Sequence, residues 1–193
     1  DETLRHFQRD NAVQVTDYGD EVAYSVKQES RIALDFYKNN ILHLVSEEGI
    51  LSTALLSARG ASVSYERLRE LSLFLSRLFK LELVYQPGES FDISYFRMLG
   101  RFVDAGWIAE NEDGSFTVHR DSDELVVFFA NCLQPYVEGY WLALTHLERL
   151  RDGPQPEREW TRTLHRRAEK LAQDEVIRCP EASSSVTFKH ALD

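Results

Sequence analysis

Histidines are the residues of this chain best suited to acid–base chemistry or metal binding, because imidazole titrates near neutral pH and ligates divalent metals. The histidines lie far apart, and no H-x-x-x-H or H-E-x-x-H pair occurs. Such a pair would place two imidazoles on one helix face around a zinc ion. The spacing therefore predicts no metal site for His6, His43, His119, His146, His165 and His190.

Serine nucleophiles and phosphate-binding loops find equally little support. No G-x-S-x-G motif occurs, and the nine glycines are scattered singly along the chain. The segment HRDSDE, residues 119–124, could suggest acid–base work. Acidic residues are, however, typical of a first helical turn, where they favour the helix dipole. The sequence thus predicts no catalytic, cofactor-binding or metal-binding residue in this chain.

The charge balance is acidic and opposes binding to polyanions. The 193 residues include 32 Asp and Glu against 22 Lys and Arg, a formal charge of -10. Such a field repels phosphate backbones and anionic lipid headgroups on average. Hydrophobic residues make up 43% of the chain, which is enough for a packed core, so disorder is not expected.

The cysteines and the apolar runs indicate the cellular compartment in which the chain is expected. Cys132 and Cys179 match no metal-ligand spacing, so we expect reduced thiols in a cytosolic setting, with a disulfide as the minor alternative. No secretory signal opens the chain, and no apolar run reaches the roughly 18 residues of a membrane span. The chain by itself is predicted to be soluble.

Two segments have the pattern of β-hairpins. The first, residues 12–26, places turn residues at 17–20 between two apolar strands. The second, residues 107–119, has an Asp113–Gly114 turn. Most of the remaining chain shows a period of three to four, so the predicted fold class is mainly α with two small β-hairpins.

The helices are predicted from this period and from their capping residues. Glu47, Glu48 and Gly49 are expected to separate the first two helices, and Ser64 is expected to cap the third. Pro135 should kink or split the longest helix. The predicted helices are 28–45, a segment ending at Gly60, 65–83, 92–105, 121–151 and 157–173.

The segment DGPQPE, residues 152–157, is the clearest linker. It predicts a helical domain at 1–152, containing the N-terminal hairpin and a winged-helix-like unit, and a truncated helical unit at 153–193. Because the chain starts at Asp1 instead of Met and stops within a helix-like segment, we expect a fragment of a longer protein.

The winged-helix-like unit, at about 64–119, raises the alternative of a nucleic-acid-binding regulator, because such motifs often read DNA with their third helix. The corresponding helix offers only Arg97 and Arg101, and the wing ENEDGS contains three acids and no base. Groove reading needs several phosphate contacts. The charge count favours a structural role for this unit.

Three segments resemble the region downstream of the catalytic domain in glycerol-3-phosphate acyltransferases of the bacterial membrane-bound and mitochondrial type. They are FYKNNILHL at 36–44, LFKLEL at 78–83 followed by SYFRMLGRFVDAGWI at 94–108, and VEGYWLAL at 137–144. The order of these blocks is more specific than any one of them. By this resemblance the similarity covers about Val13 to the end of the chain.

The resemblance implies a parent enzyme that transfers a fatty acyl group from acyl-CoA or acyl-carrier protein to the 1-hydroxyl of glycerol 3-phosphate. It implies membrane association of that parent at the cytoplasmic face. The family's catalytic signature is H-x-x-x-x-D, and no histidine of this chain has aspartate five residues later. The chain is therefore expected to be the non-catalytic C-terminal domain, supporting or regulating the upstream catalytic domain.

Asn39, Asn40 and His43 are the candidate contacts with that missing domain. Buried amides without partners are costly, and Asn40 and His43 share a helix face. Local capping within the chain is the alternative. A free-standing protein-interaction module also remains open on sequence grounds.

Overall fold

The computed structural model describes residues 2–19, 21–27, 30, 41–58, 61–84 and 88–193. The chain divides into two compact units, residues 1–43 and residues 44–193. The predicted boundary after Asp152 lies inside the second of these units. Mainly helical structure with two small antiparallel sheets confirms the predicted fold class.

The first unit contains a helix and a β-hairpin. Helix α1, Glu2–Arg9, was not predicted, and it leads into strands β1, Val13–Asp17, and β2, Val22–Val26. The strands pair antiparallel from Val13 opposite Val26 to Asp17 opposite Val22, which confirms the first hairpin. Gly19 adopts a φ of 90° in the turn, a conformation that favours glycine.

Most of the predicted helix at 28–45 lies outside the described residues. Its described end, Leu42–Leu44, is a 3-10 helix.

The second unit begins with helix α2, Ser46–Leu56, and here the sequence prediction was wrong. The predicted boundary between the first two helices was at Glu47, Glu48 and Gly49, but these residues form the first turn of α2. The two glutamates favour the helix N-terminus electrostatically. A Cβ on Gly49 would lie 2.8 Å from Leu133 Cγ, so this glycine permits a close helix contact.

The middle of the second unit follows the predicted order of helix, helix and hairpin. Ser64 Oγ accepts from the Arg67 N–H and caps helix α3, as expected. The elements are strand β3, Val63–Ser64, helix α3, Tyr65–Leu78, helix α4, Phe91–Asp104, strand β4, Ile108–Glu110, and strand β5, Ser115–Val118. The sheet order is β3-β5-β4. Membership of the winged-helix class stays a prediction.

Pro135 was expected to kink or split the longest helix. Helix α5, Asp123–His146, continues without a break through Pro135, so the split was wrong and the kink stays a prediction. Proline removes one backbone N–H, but α5 packs along its length against other elements, above all α2. A 3-10 helix, Leu147–Asp152, then leads toward helix α6, Glu157–Gln173, as predicted. The chain closes with a 3-10 helix, Pro180–Ser183, and helix α7, Ser185–His190.

Helix α5 joins two hydrophobic clusters. Its first half places Val126 in a cluster with residues of α2, α3, α4 and the three-stranded sheet, including Leu68 and Phe102. Its second half places Leu142 in a cluster with residues of α6 and α7, including Leu164 and Phe188. All six of these core residues are at most 1% exposed. The second half of α5 therefore organises the C-terminal segment.

Candidate functional site

The predicted interface residues are only partly covered by the structure. Asn39 and Asn40 lie outside the described residues, so their placement stays a prediction. His43 lies in the 3-10 helix Leu42–Leu44 with an exposed side chain. Exposure of His43 is compatible with a contact to another domain, which the sequence analysis expected of it.

A carboxylate–histidine pair joins the turn after α3 to helix α7. Glu82 Oε1 lies 3.1 Å from His190 Nδ1, and the Glu82 side chain is 7% exposed. Burial and the nearby Glu82 carboxylate raise the pKa of Tyr140 to about 12, so this phenol stays neutral. The pair between Glu82 and His190 fastens α7 to the body of the second unit.

Among the described residues, no group of histidine, cysteine and acidic side chains is arranged to hold a metal ion.

The two arginines of α4, which a DNA-reading helix would need, are held by carboxylates. Arg97 Nη2 lies 3.1 and 2.9 Å from the two oxygens of Glu47, and Arg97 also pairs with Glu89. Arg101 Nη1 lies 3.1 Å from Glu48 Oε1. These carboxylates neutralise both guanidinium groups and leave little positive charge for a phosphate backbone.

The pair between Arg97 and Glu89 gives a testable titration. Hydrogen bonds from Arg97, and then from Ser94, lower the pKa of Glu89. A carboxyl whose pKa is lower when folded stabilises the fold above its unfolded pKa and loses this contribution as the pH falls through the folded value. We expect Arg97→Gln to return the Glu89 titration, followed by carboxyl-carbon NMR, toward the ordinary value. Unchanged titration in Arg97→Gln would contradict the pairing.

The hairpin formed by β4 and β5 has an acidic turn that is fixed by hydrogen bonds. Asp113 Oδ1 accepts from Ser115 Oγ at 2.6 Å and from the Ser115 N–H at 3.0 Å. These bonds lower the pKa of Asp113, so the carboxylate is ionised at neutral pH. A fixed negative charge at the wing position repels a phosphate backbone.

Helix α4 exposes large apolar side chains beside its two paired arginines. Ile93 is 58% exposed and Phe96 is 59% exposed. The Phe96 ring stacks on Tyr65 with centroids 6.0 Å apart, which holds it in place on the surface. Exposed, immobilised apolar side chains beside neutralised arginines are better suited to a protein partner than to nucleic acid.

The sequence analysis missed the partners of these arginines. Glu47 and Arg97 are 50 positions apart, and Glu89 precedes Arg97 by eight. Hydrophobic periodicity carries no information about such contacts. The acidity of the wing and the small number of bases in α4 were the only sequence signals.

All 193 residues match the family model described as the glycerol-3-phosphate acyltransferase C-terminal region. The chain belongs to this family. Within the described residues, no helix is long and apolar enough to cross a membrane.

Curated relatives of this family member carry the name "Putative acyltransferase plsB1". They come from Mycobacterium bovis and from two strains of Mycobacterium tuberculosis. Each is 23% identical over 197 residues, which cover 98% of this chain. The aligned part is 31% of the relative's own length, so the chain spans about a third of these proteins.

Proposed function

We propose that this chain is the non-catalytic C-terminal domain of a parent enzyme that acylates the 1-hydroxyl of glycerol 3-phosphate. The acyl donor would be acyl-CoA or acyl-carrier protein, and the product would be lysophosphatidate. The match of the entire chain to the family's C-terminal region carries the proposal. The relatives are long enough to contain a separate catalytic domain, because about two thirds of their length lies outside the aligned part.

The chain's role toward that catalytic domain would be support or regulation. No histidine is followed five residues later by aspartate, so the general base that deprotonates the acceptor hydroxyl would come from the upstream domain. The exposed Ile93 and Phe96 of α4 offer a surface for such a neighbour. Membrane association at the cytoplasmic face would belong to the parent enzyme.

Sequencing the coding region upstream of Asp1 and assaying the parent enzyme would test the proposal. We expect an H-x-x-x-x-D segment upstream, and we expect acyl transfer to glycerol 3-phosphate by the full protein. Removing residues 1–193 should lower this activity at least tenfold if the domain supports the catalytic one. A start codon directly before Asp1, or DNA binding that weakens steeply with salt, would favour a free-standing module or a nucleic-acid regulator.

The predicted contacts of Asn39, Asn40 and His43 give a finer test in the parent enzyme. Asn40→Leu should weaken the association between the two domains and lower acyl transfer, because a leucine cannot replace the amide's hydrogen bonds. Asn131→Leu is the matched control, since Asn131 is an exposed asparagine on α5. Equal activity of the two variants would show that Asn40 makes no such contact.

A further inference from the structure

A basic groove lies where the end of α5, the following 3-10 helix and α6 meet. Its volume is about 620 Å³. The groove is lined by four cationic side chains, one carboxylate and a histidine: Arg149, Arg166, Arg167, Lys170, Glu148 and His146. This local excess of positive charge stands against the formal charge of -10 of the whole chain.

Within the part of the chain that the structure describes, the four cations have no carboxylate partners that would explain their grouping. Arg97 and Arg101 of α4 each pair with glutamates, whereas none of the groove's four cations forms an ion pair with any described residue. Arg167 instead lies over the ring of Trp141, with its guanidinium carbon 5.9 Å from the ring centroid. Like charges that line one groove repel each other, so a bound anion would stabilise the arrangement.

The buried histidine at the groove has one ring nitrogen without a partner. The Thr163 hydroxyl donates to the Trp160 carbonyl at 2.9 Å, so its oxygen accepts from His146 Nε2–H at 3.0 Å. This assignment leaves Nδ1 as the free nitrogen, and no described atom pairs with it. His146 is 1% exposed. In this tautomer Nδ1 carries a lone pair, and it becomes a donor only when His146 is protonated.

We propose that this groove binds a phosphate monoester as its dianion. Guanidinium groups present paired N–H donors that match the oxygens of phosphate, and such charge-assisted bonds are stronger than neutral ones. Three net positive charges of the lining suit a doubly charged ligand better than a single carboxylate. The groove is larger than a phosphate group, so an organic substituent fits beside it. The inference rests on the groove alone and not on the proposed acyl transfer.

Titration of the 193-residue chain with inorganic phosphate in low-salt buffer tests the proposal by calorimetry. We expect saturable one-site binding that Arg149→Gln combined with Arg166→Gln weakens roughly tenfold or more, because two charge-assisted contacts are removed. The matched control is Arg67→Gln combined with Arg77→Gln, which removes the same charge from exposed positions on α3. Absence of saturable binding, or equal weakening in both double variants, would overturn the proposal.

The pKa of His146 distinguishes a bound dianion from general screening by salt. Burial, and then the charges of Arg149 and Arg167, lower the pKa of His146 in the free protein. The charged groups that line the groove with His146 also include Glu148, Arg166 and Lys170. Phosphate should raise the pKa of His146, followed by NMR of its ring, whereas sodium chloride at equal ionic strength should raise it much less. Equal shifts with both salts would count against a bound dianion.

Two further ligands distinguish the sources of the phosphate group. Binding of glycerol 3-phosphate with the same loss in Arg149→Gln plus Arg166→Gln would identify a small soluble ester. Binding only to phosphatidylcholine vesicles that contain phosphatidate, and not to vesicles of phosphatidylcholine alone, would identify a lipid headgroup. Tighter binding of a single-stranded oligonucleotide, lost in the same double variant, would overturn the proposal in favour of a nucleic-acid surface.

Discussion

Replacing Gly139 with alanine is expected to lower the free energy of unfolding of the second unit by about 2 to 3 kcal/mol. Gly139 lies in α5 where the C-terminal segment crosses it. A Cβ at this position would lie 2.8 Å from Thr187 Cγ2 and 2.9 Å from the Ala182 carbonyl oxygen. The carbonyl belongs to the backbone and cannot rotate away, so the 3-10 helix Pro180–Ser183 must move off α5.

Gly100→Ala is the matched control for this change. Gly100 lies inside α4, and a Cβ there would meet nothing within 4 Å. Alanine is a better helix former than glycine by up to about 1 kcal/mol, so this variant should be more stable than the unsubstituted chain. Urea denaturation of both variants measures the difference. Equal effects of the two substitutions would show that the close approach at Gly139 is unimportant.

Glu138→Ala is expected to destabilise the second unit by about 3 kcal/mol, because it leaves two partly buried backbone donors without their shared acceptor. The Glu138 carboxylate is 7% exposed, and it accepts from the Arg178 N–H at 3.1 Å and the Cys179 N–H at 2.9 Å. It also accepts from the Gln134 side-chain amide at 2.9 Å. One side chain of α5 thereby holds the segment that leads into α7.

Two further variants separate this mechanism from loss of charge. Glu138→Gln retains one acceptor oxygen and should cost less than Glu138→Ala. Glu169→Ala removes an exposed carboxylate from α6 and should change the stability by less than about 0.5 kcal/mol. Thermal and urea denaturation measure all three. If Glu138→Ala behaved like Glu169→Ala, the carboxylate would not be the anchor of residues 178–179.

Sequence patterns predicted those elements whose signal is local. The leucine spacing and the Ser64 cap located α3, and the linker DGPQPE located the start of α6 at Glu157. The Asp113–Gly114 turn located the second hairpin, and Gly114 has the positive φ of 76° that such a turn requires. In each case, the residues that determine the backbone conformation lie within a few positions of the element they form.

Features that depend on distant partners were missed. Strand β3 has only Val63 and Ser64, too short to show alternation, and it exists because Val63 pairs with Phe116. The acidic residues after Val45 were interpreted as the boundary between two helices. They stabilise a helix N-terminus only because α2 continues from them. The predicted contact of Asn39 and Asn40 depends on a partner outside the chain, so no local pattern could establish it.

The basic groove illustrates the same limit. Arg149 belongs to one element, and Arg166, Arg167 and Lys170 belong to α6 on the other side of the linker. Average composition pointed away from anion binding, because acidic residues elsewhere outnumber these bases. Only the fold brings the four cations to one groove.

The contact between Glu82 and His190 joins residues that are 108 positions apart. Bringing such distant positions together costs loop-closure entropy before any contact repays it, and contacts of this separation form slowly. Helices α2 to α5 can pack around the first hydrophobic cluster without the C-terminal segment. Docking of α7 is therefore expected late in folding, after α5 has formed the surface around Glu138 and Gly139 that receives it. During synthesis, the residues that complete the second cluster also leave the ribosome after those of the first.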